Sequence, residues 1–170
     1  MNVLESFSLK GKVALVTGGA GLYGRQIVEA LAEAGAETYI ASRNLESLQQ
    51  VAKEEVERGH NVTAMKLDLS EDESIENLHQ AIIEKSGKCD ILINNAVSRE
   101  FGSAGWKNTL DDFDKSLRVN ASALFKITQM FAEDMKKNSS GSIINIGSMM
   151  GTVGVENGNY EGTDFTPATS

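Results

Sequence analysis

The sequence has a single cysteine and only two histidines in 170 residues. Cys89 cannot form an internal disulfide, and three such side chains scattered along the chain are too few for a structural zinc site, so neither a disulfide scaffold nor a metal is expected. No run approaches the roughly 18 consecutive apolar residues a membrane span needs. Met1-Asn2-Val3-Leu4-Glu5 lacks the basic and then apolar regions of a secretion signal. A cytoplasmic chain with no membrane partner is the expectation. Positive charge is also scarce: 16 Lys and Arg against 24 Asp and Glu leave a net charge of -8, which repels a phosphate backbone. Nucleic acid is therefore not an expected partner. A small anionic ligand remains compatible, because a few N–H groups and one or two basic side chains suffice to hold it.

With 41% apolar and 24% charged residues, the composition is that of a soluble folded protein. The length suits one domain, burying roughly 70% of its unfolded surface. From Lys12 onward, short β-branched runs alternate with longer helical patterns, which predicts an α/β fold with a parallel sheet. Val13–Val16 is continuously apolar, as a strand covered on both faces should be. A helix follows over Leu22–Ala34, with Ile27, Ala30, Leu31 and Ala34 inward and Gly35 capping it. Strand Glu37–Ala41 leads to a helix from Asn44 that buries Leu45, Leu48, Val51, Ala52 and Val56 and stops at Gly59. Strand Asn61–Leu67 precedes Ser70-Glu71-Asp72-Glu73, read as a capping box, and a helix with Ile75, Leu78 and Ile82 inward. Strand Asp90–Asn94, a long helix over Leu110–Lys136 and strand Ser142–Ile146 complete the pattern, with an irregular loop over 152–170.

Thr17-Gly18-Gly19-Ala20-Gly21-Leu22-Tyr23-Gly24 joins the first strand to the first helix, where a dinucleotide-binding turn belongs. Glycine admits positive φ and lets a pyrophosphate approach the free N–H groups of the helix start. An unliganded tight turn is the alternative; the position directly after a buried strand favours the ligand. The second strand ends Ile40-Ala41-Ser42-Arg43-Asn44, where an acidic residue would hold the ribose hydroxyls of NAD. Ser42 does not repel a 2′-phosphate and Arg43 can pair with one, so NADP(H) is favoured over NAD(H). The alternative leaves Arg43 as a solvated helix-start residue. In the long helix, Phe113, Leu117, Leu124, Ile127, Phe131 and Met135 share one face, and Asn120 fills the gap in that stripe. An amide at a core position must find a specific hydrogen-bond partner. Trp106, His60 and His79 have no partner legible in the sequence. Met149 and Met150 suit either a pocket lining or core packing.

Taken together, the Thr-Gly glycine loop, Asp68-Leu69, Asn94-Asn95-Ala96-Val97, Asn120 and Ser148 resemble the short-chain dehydrogenase/reductase family over nearly the whole chain. The resemblance implies a doubly wound sheet of order 3-2-1-4-5 and hydride transfer between a nicotinamide cofactor and a carbonyl or secondary alcohol. By it, Gly18, Gly21, Leu22, Tyr23, Gly24, Ser42 and Arg43 contact the cofactor, Asp68 and Leu69 sit against the adenine, and Asn95, Ala96 and Val97 line its groove. Ser148 would hydrogen-bond the substrate oxygen, and Asn120 would fix a water of the proton relay. The full-length protein is expected to form a homo-oligomer.

The family's tyrosine and lysine, four residues apart, lack a match. Tyr160 is followed at that spacing by Asp164, whose charge raises a phenol pKa rather than lowering it, and Pro167 argues against a helix there. A loop tyrosine is the better reading. The chain is therefore read as a fragment that ends before the catalytic pair and binds cofactor without turnover, with one sheet edge and one face of the long helix left uncovered. Leu22 stands where the family's short branch has glycine, and the Gly18, Gly21, Gly24 spacing follows the extended branch, which acts on nucleotide sugars. Val97 also replaces a glycine. A non-catalytic dinucleotide-binding module and an extended-branch epimerase or dehydratase are the alternatives to the reductase.

Overall fold

A computed structural model describes residues 2–99, 107–153 and 158. The chain runs α1 (Val3–Ser6), β1 (Val13–Thr17), α2 (Leu22–Glu33), β2 (Glu37–Ser42), α3 (Leu45–Glu57), β3 (Val62–Lys66), α4 (Asp72–Ser86) and β4 (Ile91–Asn94). It continues through α5 (Leu110–Leu117), a π turn (Arg118–Ser122), α6 (Ala123–Lys137), β5 (Ser142–Asn145) and a short 3-10 turn (Met149–Gly151). Five parallel strands form one sheet in the order β3-β2-β1-β4-β5. The order reverses at β1, between β2 and β4, so a crevice opens at the carboxyl ends of the strands, where doubly wound sheets bind ligands.

β1 is buried along its whole length, as its unbroken apolar run requires. Side chains alternate across the sheet. On one face Leu15, Tyr39 and Leu92 meet Ile75, Leu78 and Ile82 of α4 and Ile127, Phe131 and Met135 of α6. On the other, Val16, Ile40 and Ile93 meet Val28 and Ala32 of α2 and Leu48 and Val51 of α3. β5 is an edge strand, and its Ile144 and the following Ile146 are exposed. Among the described residues no helix is long and apolar enough to cross a membrane.

The helices depart from the sequence reading at four places, each with a local cause. The long helix is not continuous. A π turn carries one more residue than an α turn, so every position before it shifts phase by one. The buried row Ala123, Ile127, Phe131 and Met135 therefore continues toward half-buried Ser116 and Asp112, while Phe113 and Leu117 turn outward at 56% and 46% exposure. The inward row of α2 is Gly24, Val28 and Ala32, with Ile27 and Leu31 only half-buried and Ala30 exposed, because Gly24 is pressed against the preceding loop. In α3 the buried fourth position is Glu55 rather than Val56, since Glu55 accepts from Arg58 and pairs with His60 Nδ1 at 2.7 Å. The Ser70–Glu73 capping box does not form: α4 has Glu71 at its N-cap with no side-chain cap, and the Ser70 hydroxyl donates to Asp68 Oδ1 at 2.7 Å. A short acidic side chain two residues away outcompetes the helix end for that hydroxyl. The capping box of this chain lies instead at Thr109 and Asp112 of α5.

Strand ends differ by a residue or so. β2 extends to Ser42, β3 starts at Val62 and stops at Lys66, β4 starts at Ile91, and β5 stops at Asn145. Met149 is 72% exposed, so it is not a core side chain. Trp106, Tyr160, Asp164 and Pro167, and most of the predicted 152–170 loop, lie outside the described residues.

Candidate functional site

The site is built where β1 hands over to α2. Gly18 adopts φ 70, in the left-handed region that glycine enters without penalty, and turns the chain back across the sheet edge. Its N–H donates to Ala41 O at 2.7 Å, and Gly21 N–H donates to Gly18 O at 3.1 Å. Gly24 then packs so closely that a Cβ there would lie 2.2 Å from Gly18 O. Gly21 is different, since it sits at the N-cap of α2 with φ -72 and the nearest atom to an added Cβ is 3.4 Å away. Gly19, which the sequence reading passed over, is needed: its Cβ would meet Ile40 Cβ at 2.8 Å. The spacing that matters sterically is thus 18, 19 and 24. Leu22, 92% exposed, has room for a large side chain.

The opposite wall comes from the end of β4. Thr17 Oγ1 accepts from Asn95 N–H and Ala96 N–H, both at 3.0 Å. Asn95 Nδ2 donates to Thr17 O at 3.1 Å and to Gly18 O at 3.2 Å. These bonds staple the β4 loop to the glycine turn across the point where strand order reverses. The Asn94 amide donates to Asn145 Oδ1 and to Thr128 Oγ1, both at 2.9 Å, tying β4 to β5 and α6. Thr17, Thr128 and Asn145 were not singled out from the sequence, since a threonine or asparagine on a strand or helix carries no motif signal.

Asn120 is half-buried on the π turn rather than in the apolar row. Its Oδ1 accepts from Ser98 N–H at 2.8 Å, while Nδ2 donates to Ser98 O at 2.9 Å and to Ser116 Oγ at 3.2 Å. The expected specific partner of this amide is the backbone of the β4 loop.

Together these loops enclose a groove of about 820 Å³ along the carboxyl edge. Every cofactor residue named from the sequence lines it: Gly18, Gly21, Leu22, Tyr23 and Gly24 on β1–α2, Ser42 and Arg43 after β2, Asp68 and Leu69 after β3, and Asn95, Ala96 and Val97 after β4. Ser98, Arg99 and Val119 complete the wall on the β4 side. The two residues given catalytic roles are not part of the lining. Asn120 stands behind Ser98, and exposed Ser148 lies three residues past β5. At the β3 end, the Ser70 hydroxyl holds the Asp68 carboxyl below the usual range; burial opposes this, and the Ser70 N–H and the nearby Arg43 and Lys66 charges reinforce it.

The two histidines left without a role have structural partners. His60 meets Glu55, and His79 Nε2 lies 2.6 Å from Asp134 Oδ2 with its ring edge-on to Phe131. Among the described residues no group of three or more His, Cys, Asp or Glu side chains could hold a metal ion.

Comparison with known proteins agrees with this geometry. The 3-oxoacyl-[acyl-carrier-protein] reductase FabG of Vibrio cholerae is 36% identical over 148 residues, 86% of this chain and 59% of the relative. Among solved structures, a 7α-hydroxysteroid dehydrogenase complexed with NADH and 7-oxo glycochenodeoxycholic acid superposes with a TM-score of 0.85 at 29% identity, covering 94% of this chain and 62% of that one. A metagenomic short-chain oxidoreductase in complex with NADP has a TM-score of 0.81 at 31% identity, covering 88% and 67%. The chain spans 54% to 61% of the length of the first curated relatives it matches. Residues 12–162, which include the glycine turn, the stapled β4 loop and the Asn120 clamp, match the short chain dehydrogenase family, and the chain belongs to that family.

Proposed function

We propose that the protein is an NADP(H)-preferring oxidoreductase acting on a carbonyl or secondary alcohol, and that this chain forms its dinucleotide-binding domain. One observation carries the cofactor reading. The amino end of α2 has no side-chain cap, as is also true of α4, and the α2 end opens into the groove that reaches Ser42 and Arg43. A helix start leaves its first N–H groups without intrahelical partners, and these groups with the helix dipole suit a pyrophosphate. Gly18 and Gly24 let the turn pack on itself and on the β4 loop and so hold the start of α2 at the groove, and the residues fit the group. At the far end, Arg43 supplies a planar cation and Ser42 supplies no negative charge, which suits a 2′-phosphate.

A nicotinamide dinucleotide, when bound, would supply a hydride to a carbonyl or accept one from a secondary alcohol. The chain's own residues bind and orient. Asp68 and Leu69 border the adenine end, and Asn95 and Ala96 hold the groove wall against the glycine turn. In this reading Ser148 donates its hydroxyl to the substrate oxygen at the carboxyl edge. Asn120 acts as a positioning residue, fixing the Ser98 loop beside the groove rather than presenting its amide to a relay water. The relatives' printed names, a 3-oxoacyl reductase and a hydroxysteroid dehydrogenase, support carbonyl and alcohol chemistry of this class.

The test is equilibrium binding of NADPH and NADH by cofactor fluorescence, with wild type and Arg43→Ala. NADPH is expected to bind about tenfold or more tightly than NADH, and Arg43→Ala to close that gap by weakening NADPH alone, as loss of a charge-assisted pair does. Equal affinities in the wild type would remove the NADP preference. Binding of neither cofactor would remove the dinucleotide reading itself.

A further inference from the structure

Among the described residues, the Ser98 hydroxyl is the buried side-chain polar atom that has no hydrogen-bond partner. Such an orphan in a native fold calls for an explanation, because a hydroxyl removed from water without a partner opposes folding. The side-chain amides and hydroxyl described in this wall are bonded elsewhere. Asn120 commits Oδ1 and Nδ2 to the Ser98 backbone and Ser116. The Asn95 amide is committed to Thr17 O and Gly18 O, and the Thr17 hydroxyl to two N–H groups and Ile93 O. Nor can the residue move away, since both its N–H and its C=O are held by Asn120. Ser98 is nevertheless part of the groove wall, directly after Val97. The groove beside it can bring that hydroxyl a partner.

We infer that Ser98 is a ligand-binding residue, whose hydroxyl hydrogen-bonds an oxygen of the dinucleotide in this groove. The inference rests on the dinucleotide reading above and extends it to a residue that neither the glycine turn nor the β4 sequence pattern marks. A serine side chain moves between three staggered χ1 wells. With the backbone clamped, that single rotation is the freedom Oγ needs to exchange its dry position for one facing the groove. The Asn120 amide then has a definite purpose: it holds the backbone from which this hydroxyl reaches the ligand.

The experiment is Ser98→Ala in the full chain, read in two ways that do not depend on turnover. Thermal unfolding without cofactor is expected to occur at an equal or higher temperature than in the wild type, because alanine removes an unpaired group and no bond. NADPH affinity, measured by cofactor fluorescence, is expected to fall about fivefold, the scale of one neutral hydrogen bond. Unchanged NADPH affinity in Ser98→Ala, with the wild type binding normally, overturns the inference while leaving the dinucleotide reading intact. A lower unfolding temperature without cofactor also overturns it, since the hydroxyl would then be satisfied within the fold. Failure of the wild type to bind either NADPH or NADH overturns the dinucleotide reading and this inference with it.

Discussion

Replacing Gly24 by alanine tests whether the glycine turn is specified by contact rather than by motif spacing. The added Cβ would lie 2.2 Å from Gly18 O and 3.0 Å from the carbonyl carbons of Gly18 and Gly19. All three are backbone atoms of the turn, so relief requires α2 or the turn itself to move by about 1 Å. Overpacking of this kind costs about 3 kcal/mol at the upper end of the usual range. Better helix propensity returns about 1 kcal/mol, leaving a net loss of about 2 kcal/mol. For a chain of this size each kcal/mol shifts the unfolding midpoint by about 2–4 °C, so Gly24→Ala should unfold about 4–8 °C lower. Gly21→Ala is the control. Its Cβ meets Gly18 O at an ordinary 3.4 Å and its φ of -72 is open to any residue. A poorer N-cap and a stiffer unfolded chain roughly cancel, to within about 1 kcal/mol. The assay is thermal unfolding followed by circular dichroism on the three proteins side by side. Midpoints of the two variants within about 1 °C of each other would refute the steric argument and restore equal standing to the Gly18, Gly21, Gly24 spacing.

Three further outcomes follow from the same geometry. Asn120→Ala should free the Ser98 backbone and weaken NADPH binding severalfold, with faster hydrogen exchange at the Ser98 amide; unchanged exchange would show that the clamp holds nothing. Burial pushes the Asp90 carboxyl up, but Lys88 at 2.9 Å, Val13 N–H at 2.9 Å and Lys12 at 3.3 Å more than offset it and hold its pKa below the usual range. Its contribution is therefore present above the unfolded pKa of about 3.9 and fades as pH falls through the lower folded value. Asp90→Asn should cost about 1.5–3 kcal/mol at pH 7, and the gap to wild type in denaturant melts should narrow below about pH 4; a gap constant down to about pH 2.5 contradicts this. Burial, first among the causes, pushes the Cys89 thiol up to about 12, and only 2% of the residue is exposed. A thiol reagent at pH 8 should find almost no reactive sulfur in the folded chain and one equivalent after denaturation, because the thiolate is the reactive form; rapid labelling of the native protein would show that β4 opens locally.

Much of the fold was legible because its signals are local. A continuous apolar run such as Val13–Val16, followed at once by turn residues, reads as a strand covered on both faces, and the glycines after it as a turn at the sheet edge. The order 3-2-1-4-5 and the expected cofactor residues, which the family resemblance implied, agree with the sheet and with the lining of the groove. Contacts between distant segments were not legible. Nothing near Phe113 or Leu117 announces the extra residue of the π turn that rotates them into solvent, and a heptad-like spacing reads the same with or without it. Nothing near Ser70 shows that Asp68 will take its hydroxyl from the helix end. Gly24 is required by the Gly18 carbonyl and Gly19 by the Ile40 side chain, whereas Gly21, equally conspicuous as a letter, is required by neither. The sequence by itself placed the glycine turn and the Ser42–Arg43 strand end at the carboxyl edge, because side-chain period and turn chemistry are properties of neighbours along the chain. Tertiary structure alone decided that Asn120 grips Ser98 and leaves its hydroxyl unpaired, because hydrogen bonds across twenty-two residues depend on how the helix and the sheet come to rest against each other.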